Sequence, residues 1–234
     1  MAAVTDFLHM IWDRHPELVF DLVRPADVEE VAKFLLDEYF PQLPLTKITG
    51  MNNESEISPW IGKYLASVIP KNVSVLVRDT SRAKRIVAVC INDITYKYPA
   101  RDEMNLLSFD DPITSPNWSK ICQLLKDLYA DIHFDEDPVL SFNLVGVARG
   151  YSHRGLATKL IDIIEKIAKG RRIHLIKNDT VNEYMANAHF EAGFIVAKEI
   201  NYQFYMKDVA NLKRTFLTDS IHNKIRLMVK RIAI

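Results

Sequence analysis

The chain has 234 residues, 48% of them hydrophobic, and its 30 basic and 30 acidic side chains cancel to a formal net charge of zero. That apolar share is enough for a full core in one large domain or a domain with appendages. The charge balance excludes the general attraction by which basic proteins find nucleic acid or anionic lipid, and no apolar run approaches the roughly 18 residues of a membrane helix.

Two cysteines occur, Cys90 and Cys122, both in apolar surroundings. They read as buried reduced thiols, which fits a cytoplasmic protein. The N-terminus has no basic region followed by a long apolar core, so no signal peptide is expected. The short basic run Lys169-Gly-Arg-Arg172 reads as a solvated helix end. No nucleic-acid, membrane or obligate protein partner is expected.

Residues 1–17 read as an N-terminal extension and 18–234 as the domain. Val19 to Val23 reads as a strand. A helix follows from Pro25-Ala-Asp27, with Asp27 as N-cap and Glu30 placed for a capping box. Val28, Val31, Ala32, Leu35 and Tyr39 share one face at helical spacing, and Pro41 and Pro44 stop the helix. A second helix opens at Ser58-Pro59 and buries Trp60, Ile61, Tyr64, Leu65 and Val68. Val73–Arg78 and Arg85–Ile94 read as strands joined by a polar loop. Residues 97–117, with three prolines, read as a long loop of the kind that is often functional. Ile121, Leu124, Leu125, Leu128 and Ile132 mark a third helix.

Val139–Val147 reads as a strand that feeds the most informative stretch, Val145-Gly-Val-Ala-Arg-Gly-Tyr-Ser-His-Arg-Gly-Leu-Ala157. Three of the seven glycines (Gly146, Gly150, Gly155) fall here. A strand, a glycine turn and a helix start bring unpaired N–H groups and the positive end of a helix dipole to one place, which suits phosphate. Arg149, His153, Arg154 and Lys159 add cationic side chains. The spacing matches neither Gly-x-x-x-x-Gly-Lys-Ser/Thr nor Gly-x-Gly-x-x-Gly.

In the following helix Leu156, Leu160, Ile163, Ile164 and Ile167 form a core stripe. Ile173–Ile176 then reads as a strand, Val181–Ala192 as a helix stopping at Gly193, Phe194–Tyr205 as a long strand and Ile225–Ile232 as the last one. No internal repeat or low-complexity segment occurs. His9, His15, His133, His174 and His222 show no metal-ligand spacing, and no nucleophile elbow is present.

The stretch Ser152-His-Arg-Gly-Leu-Ala157 resembles the acetyl-CoA loop of the GNAT acetyltransferases, Gln/Arg-x-x-Gly-x-Gly/Ala, with Ser152 replacing the first residue. Asn182-x-x-x-Ala186-x-x-His189-x-x-x-Gly193-Phe194 is similar to the GNAT segment in which an Asn meets the pantetheine arm and a Tyr lies near the thioester sulfur; here His189 holds the Tyr position. Phe34 to Leu45 and Ser220 to Ile232 resemble the first helix end and the terminal strand of insect and nematode arylalkylamine N-acetyltransferase-like proteins. Leu43 stands where some members carry a catalytic Glu, and Val181 and Met185 stand where they carry serines.

The resemblance, spanning roughly residues 18–232, implies an α/β GNAT fold. Its mixed, mostly antiparallel sheet of about seven strands would be flanked by helices, with an acetyl-CoA cleft where the central strands splay. It implies transfer of an acetyl group from acetyl-CoA to a small primary amine, an arylalkylamine first, by direct attack in a ternary complex. A polyamine or amino acid acceptor is the alternative, as is an acyl-CoA-binding protein without catalysis. The implied cofactor-binding residues are Val145, Gly146, Val147, Ser152, His153, Arg154, Gly155, Leu156, Ala157 and Asn182, with no metal. Of the acidic candidates Glu38, Asp37 and Asp93, Glu38 is preferred as the proton acceptor. His189 or Tyr184 would protonate the leaving thiolate, although a histidine at position 189 fits a packed helix face equally well.

Overall fold

The computed structural model describes residues 12–49, 54–97, 116–202 and 221–234. Strand β1 (Leu18–Leu22) alternates buried and half-buried residues, as a strand with one covered face must. A 3-10 turn at Pro25–Asp27 leads into helix α1 (Val28–Phe34), which widens into a π turn over Leu35–Tyr39 and tightens again over Phe40–Gln42. The expected capping box at Asp27 and Glu30 does not form. Asp27 takes the Arg24 N–H at 2.8 Å, and both carboxylates are drawn to the Arg78 guanidinium, at 2.9 and 2.7 Å. A tertiary ion pair has outcompeted a local cap.

Pro44 starts a short helix, α2 (Pro44–Thr49), rather than ending one; its φ is already helical and its missing N–H has no partner at that position. Helix α3 (Glu54–Val68) begins four residues before the expected Ser58-Pro59 start and carries Pro59 inside it. Ile61, Tyr64, Leu65 and Val68 are buried as the spacing predicts.

Strands β2 (Val75–Asp79) and β3 (Arg85–Thr95) follow. Most of the 97–117 segment lies outside the described residues, but Pro116 and Asn117 open helix α4 (Pro116–Tyr129). Strand β4 (Val139–Val147) has the expected bounds. Helix α5 (Leu156–Gly170) buries Leu156, Leu160, Ile163, Ile164 and Ile167. Strand β5 (Leu175–Thr180), helix α6 (Glu183–Glu191), strand β6 (Ile195–Asn201) and strand β7 (Lys224–Arg231) complete the chain. Residues Gln203 to Tyr205, expected to extend β6, lie outside the described residues.

The seven strands form one sheet in the order β1-β2-β3-β4-β5-β7-β6. Every pair is antiparallel except β4 with β5. Two local irregularities at the centre of the sheet place the site. The β3–β4 register slips between Ile91 and Asn92, so Asn143 is an extra residue that bends β4. The parallel β4–β5 ladder then ends at Phe142 opposite Asn178. There the Asn178 side-chain amide donates to the Phe142 carbonyl at 2.9 Å, so Asn143–Val147 runs on without β5 beside it.

Candidate active site

The turns after α1 lie directly on the free half of β4. A Cβ at Gly146 would come within 3.2 Å of Phe34 and 3.3 Å of Tyr39, so only glycine allows this approach. On the other side of the free strand lie the loop 148–155 and the start of α6. Between them is a groove of about 510 Å³.

Of the ten expected cofactor residues, nine line this groove: Val145, Gly146, Val147, Ser152, His153, Gly155, Leu156, Ala157 and Asn182. The loop is tied down from beneath, where the buried Tyr151 hydroxyl donates to Asp79 at 2.5 Å. That bond and those from Ser81 hold the Asp79 carboxyl below the usual range, Ser81 contributing most. Arg154 does not line the groove. Its guanidinium lies 4.7 Å from the Tyr151 ring centre and donates to the Gly150 carbonyl, because the ring and the carbonyl satisfy it locally. Lys159 is likewise paired, with Asp162 at 3.2 Å.

Gly155 is the N-cap of α5 at φ +78°, and His153 is also left-handed at φ +62°. The N–H groups of residues 153–158 find no acceptor among the described residues; the first helical bond runs from Lys159 to the Gly155 carbonyl. Trp12, from the segment before β1, packs edge-on to Phe20 and reaches to 3.6 Å of a Cβ at Gly155.

Asn182 has two functions on one side chain. Its Oδ1 accepts the Met185 N–H at 2.7 Å and caps α6. The carboxamide end therefore presents Nδ2, a donor, from a residue of the groove wall. His222, at the start of the last strand segment, accepts the Glu183 N–H through Nδ1 at 3.1 Å. The sequence match flagged this segment but gave His222 no role.

The three expected catalytic residues fall in three different settings. Tyr184 lines the groove, exposed, its ring edge-on to His222 at 5.2 Å and His153 at 6.5 Å. Glu38 lines the groove at its loop end, where Oε1 pairs with Arg85 at 3.0 Å and Oε2 faces the Arg149 N–H at 3.4 Å. His189 is fully buried and is absent from the groove wall. Its Nδ1 meets the Met185 carbonyl at 2.8 Å, and its ring packs edge-on to Phe142 and Phe194 at 5.5 and 4.6 Å. Burial pushes its pKa down to about 4, so the ring is neutral at pH 7. The structure thus brings Tyr184 and Glu38 to the groove and puts His189 in the core. Asp37 pairs with Lys33 at the surface, and Asp93 is sealed against Lys71 at 2.6 Å.

Sequence reasoning did not name Tyr39, Gln42, Leu43, Thr158, Met185 or Asn187 as site residues, yet all line the groove. Leu43 and Met185 stand at family positions already noted; for the others the only available signal was adjacency to the matched motifs. Cys90 is buried beside Asn92, and burial pushes its thiol up, the opposite of an activated nucleophile. Among the described residues no group of three His, Cys, Asp or Glu side chains converges to hold a metal. No helix of these residues is long and apolar enough to cross a membrane.

No family model matches the sequence, and no curated protein sequence matches it significantly. Among solved structures, 92% of the chain superposes on 99% of arylalkylamine N-acetyltransferase 2 from Aedes aegypti, with a TM-score of 0.79 and 25% identity. The same share superposes on the whole of Drosophila melanogaster polyamine N-acetyltransferase, an enzyme that forms N-acetylagmatine, at TM-score 0.71 and 18% identity. Mosquito arylalkylamine N-acetyltransferase-like 5b gives a TM-score of 0.72 and 17% identity over 92% of this chain. Fold and groove together define a GNAT-type N-acetyltransferase. Within that class the chain is similar to the mosquito arylalkylamine N-acetyltransferases.

Proposed function

We propose that the protein transfers the acetyl group of acetyl-CoA to a small primary amine, with an arylalkylamine as the leading acceptor, by direct attack in a ternary complex. The observation that carries this reading is the groove itself. One wall is a β-strand stripped of its neighbour, and its end is a left-handed glycine opening a helix whose first N–H groups have no acceptor among the described residues.

Those N–H groups and the α5 dipole suit the pyrophosphate. The free strand Val145–Val147 and the Asn182 Nδ2 suit the amide-rich pantetheine arm, which needs strand-like donors and acceptors. Oriented strand N–H groups also suit the tetrahedral oxyanion. Tyr184 is the groove residue assigned to proton delivery to the leaving thiolate. Glu38, held by Arg85, is assigned to ordering the Arg149 end of the loop, and His189 to packing α6.

The chemistry sets a further demand. A primary amine has a pKa of roughly 10, so reaching its neutral form at pH 7 costs about 4 kcal/mol, and a carboxylate in reach of the ammonium lowers that barrier. The two cysteines, buried and outside any disulfide, support a cytoplasmic location.

The test is calorimetric titration of acetyl-CoA and of CoA into the wild-type protein and a Gly155→Glu variant. Micromolar binding that the variant loses is the expected result, followed by turnover over an amine panel. Absence of binding to wild type would sink the reading, and binding without turnover of any amine would leave a CoA-binding protein.

A further inference from the structure

The ladder registers place Asp93 opposite Ser141 and Ser141 opposite Lys177, so these three side chains stand in a row on one face of the central strands. Asp179 lies two residues beyond Lys177 on the same face. It is also the first β5 residue past the end of the β4–β5 ladder, at the apex of the split whose free strand walls the groove. The row is polar and lies close to the centre of the sheet. Asp93 is 3% exposed and satisfied by Lys71. Ser141 is 4% exposed, and its Oγ has no hydrogen-bond partner.

Asp179 is half-buried, with Oδ1 held by the Tyr129 hydroxyl of α4 at 2.5 Å. Its Oδ2 has no partner among the described residues, yet it is not one of the buried atoms left unsatisfied, so it faces accessible space. Lys177 also makes no ion pair among the described residues; its ammonium lies over the Tyr129 ring at 4.4 Å and the Phe134 ring at 6.0 Å. The bulged Asn143 donates its Nδ2 to the Tyr64 hydroxyl of α3 at 2.6 Å, and no hydrogen bond joins Tyr64 to this carboxylate.

We propose that this apex is the acceptor-amine site, that Asp179 Oδ2 receives the ammonium and takes its proton, and that the accepted class is amines with a single cationic group. The inference rests on the acetyltransferase reading and deepens it. In the step, one N–H bond of the ammonium breaks and its proton passes to the Asp179 carboxylate. The freed lone pair attacks the thioester carbon, the C–S bond breaks, and the thiolate takes up a proton. The nitrogen loses a second proton to give the amide, so one proton is released per turnover.

The charges around the site fit this role. Desolvation raises the Asp179 carboxyl, while Tyr129 and Lys177 oppose the rise. Burial first, and then the Asp179 charge, raises Tyr39, which also lines the groove. Asp179 itself does not line the groove; Tyr39 is the wall residue that feels its charge. Tyr64 is raised by burial, with Asp93, Tyr39 and Asp179 contributing. Burial lowers Lys177 against the pull of Asp179 and Asp93. These are the charged and titratable groups that face Asp179 from α1, α3, α4, β3 and β5 among the described residues. A cation at Lys177 helps an incoming ammonium to lose its proton and repels a second one.

The test measures kcat/KM against pH for wild type, Asp179→Asn and Tyr129→Phe, with phenethylamine and 1,4-diaminobutane as acceptors and CoA affinity followed in parallel. Wild type should lose activity on the acid side as Asp179 protonates, and should prefer phenethylamine. Asp179→Asn should lose that acid limb and roughly 100-fold or more in kcat/KM while still binding CoA. Tyr129→Phe removes the bond that stabilises the carboxylate, so its acid limb should move to higher pH, a shift that a purely structural role does not produce. An unchanged acid limb in Tyr129→Phe, a retained limb in Asp179→Asn, or preference for the diamine overturns the proposal while CoA binding leaves the acetyltransferase standing. Loss of CoA binding by wild type overturns both.

Discussion

At Gly146 a single methyl group decides whether α1 can lie on β4. The nearest atoms are a ring carbon of Phe34 and the Cβ of Tyr39, and neither can retreat without moving the helix. Gly146→Ala should therefore destabilise the fold by about 1–3 kcal/mol, read as a lower denaturation midpoint at unchanged slope. His189 makes a different residue-scale prediction. Its pKa is depressed from 6.5 to about 4 on folding, so the neutral ring contributes stability that is fully present above pH 6.5. That contribution is lost as pH falls toward 4, because the unfolded chain takes up the proton first. Between pH 7 and pH 5 the loss should be about 2 kcal/mol. A His189→Phe variant, measured by denaturation at both pH values, should lack that component.

At the scale of elements, the matched motif around Asn182 was legible as a sequence pattern, while its meaning depended on where α6 begins. Counting apolar positions put the start at Val181. The structure starts the helix at Glu183, because Asn182 uses its own oxygen as the cap and His222 arrives from 39 residues away to take the Glu183 N–H. Two substitutions separate the functions of this side chain. Asn182→Ala should cost about 1 kcal/mol of stability and weaken CoA binding. Asn182→Asp keeps the capping oxygen but loses the Nδ2 donor, so it should retain the thermal midpoint and still raise the KM for acetyl-CoA. Helix α1 shows the same limit. Its buried face at Val31 and Leu35 follows from the 3.6-residue period and Asp27 is its N-cap as expected, but the capping box was misread because Arg78, on a distant strand, claims both carboxylates.

Across the whole molecule, the functional geometry comes from a sheet that pairs fully on one side of β4 and only halfway on the other. One buried charge beside that opening is matched by a partner. Lys71 and Asp93 join the turn after α3 to β3 at 2.6 Å, with Asp93 almost sealed. Lys71→Met leaves a carboxylate without its partner and should destabilise the protein by about 3 kcal/mol. The double variant Lys71→Met/Asp93→Asn should recover part of that loss in the same denaturation assay, since the pair, not either charge, is what the fold accommodates.

The sequence alone determined the succession of strands and helices apart from α2, the core stripes and the glycine loop, because hydrophobic period and turn conformation are properties of neighbouring residues. The loop residues from Ser152 to Ala157 could be named without a structure for that reason, with the exception of Arg154, which the Gly150 carbonyl and the Tyr151 ring hold away from the groove. Only the tertiary structure decided which titratable groups meet the groove. It placed His189 in the core, tied Glu38 to Arg85, sealed Asp93 and left one oxygen of the half-buried Asp179 without a partner among the described residues at the apex of the split. Burial, ion pairing and desolvation depend on what packs against a residue from elsewhere in the chain, and spacing along the sequence carries no record of that.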